Sequence, residues 1–432
     1  MTMKRITFLA ITLIVVFLFT STASAKVKIK FYYPVGVAGP LVKVINGMVE
    51  KFEKQNPDID VEPVYAGNYN QTMQKVQTAV LGGNPPDIAV VEISELFSLL
   101  AMDSLIPLDK YIEQEGGDKF LANFYKGFLG NAYGRDGKIY GFPFQRSTPI
   151  LYWNKDMFRA AGDKLKAAGL DPNRPPDNWD ELVEYAKILT IREGNQTKQY
   201  GLIIPGGWND WIFEAFSRQN GSQLIKEDGL TVTFNSPENL EALKLWVKLM
   251  QELKVCPVLR PWNITPDDFI GGVTAMMYYS TGGMAKIRKT AKFNWGAAFQ
   301  PKKKRYGTPV GGGDFHIFKG IPKENQDAAW KLAKFMTTPE MAGHWSIESG
   351  YVAVNINSYD RAEMKSFLKE FPQMTVARDQ LNYAYPKMMA VNYQLIRNAM
   401  TTNLDGALEG KKTPEKALKD AHKLMEEAIK GQ

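Results

Sequence analysis

Apolar and polar positions change rhythm several times along this 432-residue chain, and each change marks an element. Val27-Lys28-Ile29-Lys30-Phe31-Tyr32 alternates with the period of a strand. Leu41, Val44, Ile45, Met48, Val49 and Phe52 then recur at i, i+3, i+4, i+7, i+8 and i+11, which forms one face of a helix stopped by Asn56-Pro57. Residues 61–65 read as a second strand and 70–81 as a helix ending at Gly82-Gly83. Asn84-Pro85-Pro86-Asp87 turns into the buried run Ile88-Ala89-Val90-Val91. A strand–helix–strand–helix–strand order predicts a parallel sheet covered by helices. The middle third is richer in helices. One is expected over 179–189, opened by Asp177, and others start at Ser236-Pro237, Thr265-Pro266 and Thr413-Pro414, where a capping residue precedes a proline. Two extended stretches, 140–145 and 295–300, are the candidates for carrying the chain from one lobe to another.

Two lobes are the expectation because 432 residues exceed what one hydrophobic core usually organises. The first 25 residues stand apart. Lys4 and Arg5 precede an apolar run from Ile6 to Phe19, and small residues end it at Ala23-Ser24-Ala25. That is the pattern of a secretory leader cleaved before Lys26, which places the rest outside the cytoplasm, in the periplasm. Cys256 is the one cysteine, so neither an internal disulfide nor a lipid-modified N-terminus is available. The formal charge of +7 falls by two, to +5, when Lys4 and Arg5 leave with the leader. A modest positive balance suits a small anionic ligand and serves solubility equally well. Lys302-Lys303-Lys304-Arg305 reads as a solvated loop, and nothing resembles a nucleic-acid module.

Enzyme chemistry finds little support. The chain lacks GxxxxGK[ST], HExxH and GxSxG, and its three histidines, His316, His344 and His422, are widely spaced. An exported hydrolase built on a carboxylate pair is the rival class, but 46 acidic residues make that signal uninformative without geometry. No cofactor and no metal is expected.

Several blocks carry a family resemblance. Phe52 to Tyr69, with Asn56-Pro57-Asp58 and Tyr65-Ala66-Gly67-Asn68-Tyr69, is one, and Gly83-Asn84-Pro85-Pro86-Asp87-Ile88 another. Ser147-Thr148-Pro149-Ile150-Leu151-Tyr152-Trp153-Asn154, Gly207-Trp208-Asn209-Asp210-Trp211, Ser349-Gly350-Tyr351 and Gly410-Lys411-Lys412-Thr413-Pro414 follow in the same order. Together they resemble the family-1 extracellular solute-binding proteins of ABC transporters, over nearly the whole chain after the leader. The resemblance is strongest to members that bind glycerol-3-phosphate.

That resemblance implies an α/β, two-lobed periplasmic-binding-protein fold of type II, with a ligand cleft at a hinge. Residues 26–143 and 300–350 would form the first lobe, and 144–299 and 351–432 the second. It implies reversible capture of a small polar solute by a monomer, and delivery to a membrane permease. The glycerol end would meet Tyr69, Glu92, Trp208 and Trp211. The phosphate end would meet Ser147, Ser280 or Thr281, backbone N–H groups near Gly312 and Gly313, and Tyr351. A carboxylate accepts from hydroxyls, an indole face covers C–H groups while its N–H donates, and glycine lets backbone approach phosphate.

Each position has a packing alternative: Tyr69 on the following helix, Glu92 in a structural ion pair, the tryptophans in a core face, the glycines in a turn. The chain also departs from the family. Met389 stands where a phosphate-binding arginine is expected, with Lys387 two residues away, and Arg146 replaces a small polar residue beside Ser147. Phosphate would then be held by Arg146 or Lys387. The ligand would be glycerol-3-phosphate or a glycerophosphodiester, with a sugar as the alternative.

Overall fold

Five strands of the first sheet gather from three distant parts of the chain. In the computed structural model, which describes residues 26–35 and 40–431, their order is Ile59–Tyr65, Val27–Tyr33, Ile88–Glu92, Gly311–Ile317 and Phe142–Ser147. The first three run parallel, as the alternating strand–helix pattern requires, and the last two are antiparallel additions. The leader expected over 1–25 lies outside the described residues. Among those residues, no helix is long and apolar enough to cross a membrane.

A second sheet, ordered Met276–Ser280, Pro149–Asn154, Trp295–Ala298, is antiparallel throughout. Residues 200–204 extend it: Ile203 donates to the Met276 carbonyl, and Tyr278 donates back to Ile203. Each sheet has its own core. Phe31, Phe142, Phe315 and Trp345 pack in the first. Phe213, Phe216, Trp246 and Tyr278 pack in the second, where both phenylalanines meet Trp246 edge-on at 5.3 Å. Two cores of this size are what a chain of this length demands.

Helix starts fall where local capping dictates. Asn68 caps Tyr69–Leu81 through a reciprocal pair with Gln71, its side chain accepting from the Gln71 N–H at 3.0 Å. Ser236 and Thr413 cap Pro237–Val247 and Pro414–Lys430, each with proline in the first turn. Trp179–Leu189 is capped by Asn178 rather than Asp177, because Asp177 instead holds Lys302 at 2.8 Å and Tyr306.

The crossings between sheets differ from expectation. Phe142–Ser147 lies wholly in the first sheet, and the chain passes over at Thr148. Trp295–Ala298 is an edge strand of the second sheet, and the return comes at Val310, between Thr308–Pro309 and Gly311. Thr308–Pro309 pairs with Ala384–Tyr385, and Val310 donates to the Tyr385 carbonyl, so a third passage runs alongside the second. Residues 351–354 add to the first sheet, with Val352 donating to the Arg146 carbonyl, and Met364 and Ala377 belong to the first core. The chain from Met388 to Ala428 belongs to the second. Burial of apolar side chains, not sequence continuity, decides these changeovers.

Two smaller features complete the frame. Lys302, Lys303 and Lys304 pair with Asp177, Glu241 and Glu238, and Arg305 donates to the Arg218 carbonyl, so the basic run is tied down by partners. Cys256 is buried, receives the Ile204 N–H at 3.3 Å, and burial pushes its thiol up to about 12.

Candidate ligand-binding cleft

Between the two cores lies a cavity of about 930 Å³. That is near the top of the range of about 300–1,000 Å³ in which drug-sized ligands are buried. Its first wall carries Tyr69 and Asn70, from the start of Tyr69–Leu81, and Glu92 at the end of its strand. Its second carries Trp208 and Trp211, at the start of Asn209–Gln219, and Trp262 and Tyr279. Ser147, Ser280, Gly312, Tyr351, Lys387 and Arg397 lie at or near the crossings.

The glycines of Gly311–Ile317 are there because side chains crowd the strand. A methyl group on Gly311 would sit 2.3 Å from the Trp211 ring, and one on Gly313 2.9 Å from Tyr69. Gly312 has a φ of +101°, and a methyl group there would fall 1.6 Å from the Gln145 carbonyl. This segment is a packed strand, and its missing side chains admit the aromatic rings that line the cleft. Tyr69 donates to Gln145 at 3.0 Å, Gln145 donates in turn to the Pro34 carbonyl, and burial holds the Tyr69 phenol well above its ordinary range.

Charge enters in pairs. Lys387 bonds Glu92 at 2.6 Å, and both are almost wholly buried. Asn131 fixes the Lys387 backbone by accepting from its N–H and donating to its carbonyl, and Glu214 accepts from Met388 on the other side. Arg397 lies over Trp208, 3.8 Å from the ring centre. It pairs with Asp210 at 3.2 Å, donates to Asn70 at 3.3 Å and also donates to the Gly207 carbonyl. Both cations therefore bridge the two walls, and each already holds a carboxylate.

The expected site residues divide accordingly. Tyr69, Glu92, Ser147, Trp208, Trp211, Ser280, Gly312, Tyr351 and Lys387 line the cavity. Three do not. Arg146 is completely buried beneath the first sheet, 3.3 Å from Asp314 and donating to the Phe128 carbonyl, because neighbouring strand residues point to opposite faces and Ser147 takes the cleft side. Thr281 is buried at the crossing, where its hydroxyl accepts from the Thr148 N–H at 3.4 Å. Gly313 lies behind Tyr69. Met389 is also absent from the lining and packs with the cluster around Phe97. Trp211 spends its indole N–H on the Val310 carbonyl at 3.1 Å, and Arg397 covers a face of Trp208.

A family pattern described as bacterial extracellular solute-binding protein matches residues 47–375. The chain belongs to that family. The sn-glycerol-3-phosphate-binding periplasmic protein of Escherichia coli strain K12 is 30% identical over 404 residues, covering 89% of this chain and 88% of that protein. Among solved structures, the Mycobacterium tuberculosis UgpB in complex with glycerophosphocholine superposes with a TM-score of 0.82 at 22% identity, covering 94% of this chain and 99% of that one. An ABC substrate-binding protein from Listeria monocytogenes in complex with cycloalternan gives 0.80 at 25% identity, with 94% and 99% covered. The two sheets with their separate cores are thus the two lobes of a periplasmic-binding-protein fold, and the protein is a solute-binding protein.

Within that frame, sequence reasoning missed two residues that line the cavity. Arg397 carries no expectation from the sequence, although among the described residues it is the one arginine in the lining. Trp262 stacks on Tyr279 at 4.3 Å and touches both cleft tryptophans, at 6.4 and 6.3 Å. The signal for Arg397 was its position four residues after Tyr393 on one helical face, where both turn toward Asp210. Trp262 precedes a proline-started helix and had no periodic signal at all.

Proposed function

We propose that this protein is the exported, non-enzymatic capture subunit of an ABC uptake transporter, and that its ligand is a glycerophosphodiester, with glycerol-3-phosphate as a weaker ligand of the same class. The observation that carries the ligand class is the paired state of the cleft cations, above all the two buried ones. Lys387 is matched by Glu92 and Arg397 by Asp210. A phosphate monoester with nearly two charges finds no surplus cation here, whereas a diester carries one charge and asks less of the site. The hydroxyls of Ser147, Ser280 and Tyr351 would donate to its oxygens. The similarity to a glycerol-3-phosphate-binding protein, and to a structure holding glycerophosphocholine, supports the same class.

Closure would bring the lobes together about the passages at Thr148, Val310 and the segment after Tyr385. Ligand contacts from both lobes would stabilise the closed form, which the permease would recognise. The leader would send the chain to the periplasm.

A sugar is the second reading. The Glu92–Lys387 pair offers an acceptor and a donor to hydroxyls, and the cycloalternan complex has a similar fold. A thermal-shift comparison of glycerophosphodiesters, glycerol-3-phosphate and maltotriose separates the two, since a ligand specific for the folded state raises the melting temperature. Diesters are expected to raise it most and glycerol-3-phosphate less. A rise with maltotriose alone would transfer the assignment to the sugar.

A further inference from the structure

We infer that the alcohol half of the diester is a hydroxylated ring or polyol, such as a cyclitol or hexose, and not a quaternary ammonium. This rests on the diester reading above and concerns the part of the cavity that a glycerol phosphate leaves unfilled.

Three tryptophans reach the cleft, and two are committed: Trp211 by its N–H and Trp208 by the guanidinium on its face. Trp262 differs. Its ring is braced by Tyr279 at 4.3 Å and 27°, and among the described residues it has no guanidinium over it and its indole N–H, like that of Trp208, has no partner. A braced indole with a spare donor is suited to the C–H face of a saturated ring bearing hydroxyls.

The same wall continues along Met284–Thr290, which contributes Lys286, Lys289 and Thr290 to the lining. Lys286 is held by Asp267 at 2.6 Å, and Lys289 by Glu348 of the first lobe at 3.1 Å. Such pairs present donors and acceptors to neutral hydroxyls. A fixed cation would instead face two ammonium groups whose carboxylates are already engaged, and like charges repel. Among the described residues, Asp405 is the lining carboxylate without a cation. It is held by Asn209 at 2.6 Å, two turns along the helix from Arg397. It is the one place where an ammonium ligand would find compensation, and the test must therefore include one.

Titration calorimetry of the purified protein with glycerophosphoinositol, glycerophosphocholine and glycerol-3-phosphate decides the matter. Glycerophosphoinositol is expected to bind at least tenfold more tightly than glycerophosphocholine. Trp262→Ala should weaken glycerophosphoinositol at least tenfold and glycerol-3-phosphate by a clearly smaller factor, with an unchanged circular dichroism spectrum showing that the variant folds. Lys289→Ala should narrow the preference between the two diesters. Equal or tighter binding of glycerophosphocholine overturns the inference, as does an equal loss of all three ligands in Trp262→Ala. Absence of binding by all three overturns the diester reading itself, and the inference with it.

Discussion

Lys387 and Glu92 show how one contact decides the fate of a residue. The pair is 2.6 Å long and nearly solvent-free, so neither charge is tolerable alone. Lys387→Met should cost about 3–5 kcal/mol in urea denaturation, because it strands the Glu92 carboxylate. Adding Glu92→Gln to that variant should recover most of the loss; failure to recover would mean that the loss comes from the packing of the Lys387 side chain against the Trp208 and Tyr393 rings instead. The arginines teach a related lesson. Arg146 and Arg397 are both buried cations beside aromatic rings, and composition cannot rank them. What separates them is the face of their element: Arg146 points under its sheet toward Asp314, and Arg397 points into the cleft. A residue's neighbours in sequence were legible; its neighbours in space were not. Tyr69, Glu92 and Trp208 were found only because family motifs carry spatial information that spacing lacks.

Elements were readable where their signals are local. The capping pairs at Asn68–Gln71, Ser236–Pro237 and Thr413–Pro414 act within four residues, so the helices start where the sequence says. The crossings were unreadable for the opposite reason. Residues 142–154 are extended on both sides of Thr148, yet the chain divides there between two sheets, and the strands it pairs with, Gly311–Ile317, Met276–Ser280 and Trp295–Ala298, all come from more than a hundred residues away. The strand Gly311–Ile317 is the sharpest case. Its glycines read as a backbone cradle for phosphate or as a turn, and they are the packed strand against which Trp211 and Tyr69 rest. Gly312→Ala should cost more than about 1–3 kcal/mol, the usual penalty for a non-glycine residue at such a φ, because the added methyl also meets the Gln145 carbonyl. Denaturation midpoints of this variant and of Gly320→Ala, at an exposed turn with open space around it, would show the difference. An equal effect at both sites would refute the packing argument.

The whole molecule carries buried titratable groups whose effect adds up. Burial raises Glu95 and Glu214 to about 7 and Asp314 to about 6. As pH climbs from about 4.5 to 7, the unfolded chain releases these protons and the folded protein keeps them, so stability falls across that window. His316 works against this, because burial lowers it to about 4 and stability is lost as pH drops from 6.5 toward that value. Three carboxyls outnumber one imidazole, so urea midpoints should decline from pH 5 to 7.5. Glu214→Gln should lessen the decline by on the order of 1–3 kcal/mol. A flat profile in both proteins would mean that these carboxyls are ionised in the fold. A different buried group has a practical consequence. The Cys256 thiol sits in the second core with its proton held to about pH 12, out of reach of alkylating dyes. A cysteine engineered at the cleft rim, in place of Glu348 for instance, would be the sole labelling point on an otherwise native chain. A fluorophore there would report lobe movement directly, turning this protein into an optical sensor for its own ligand.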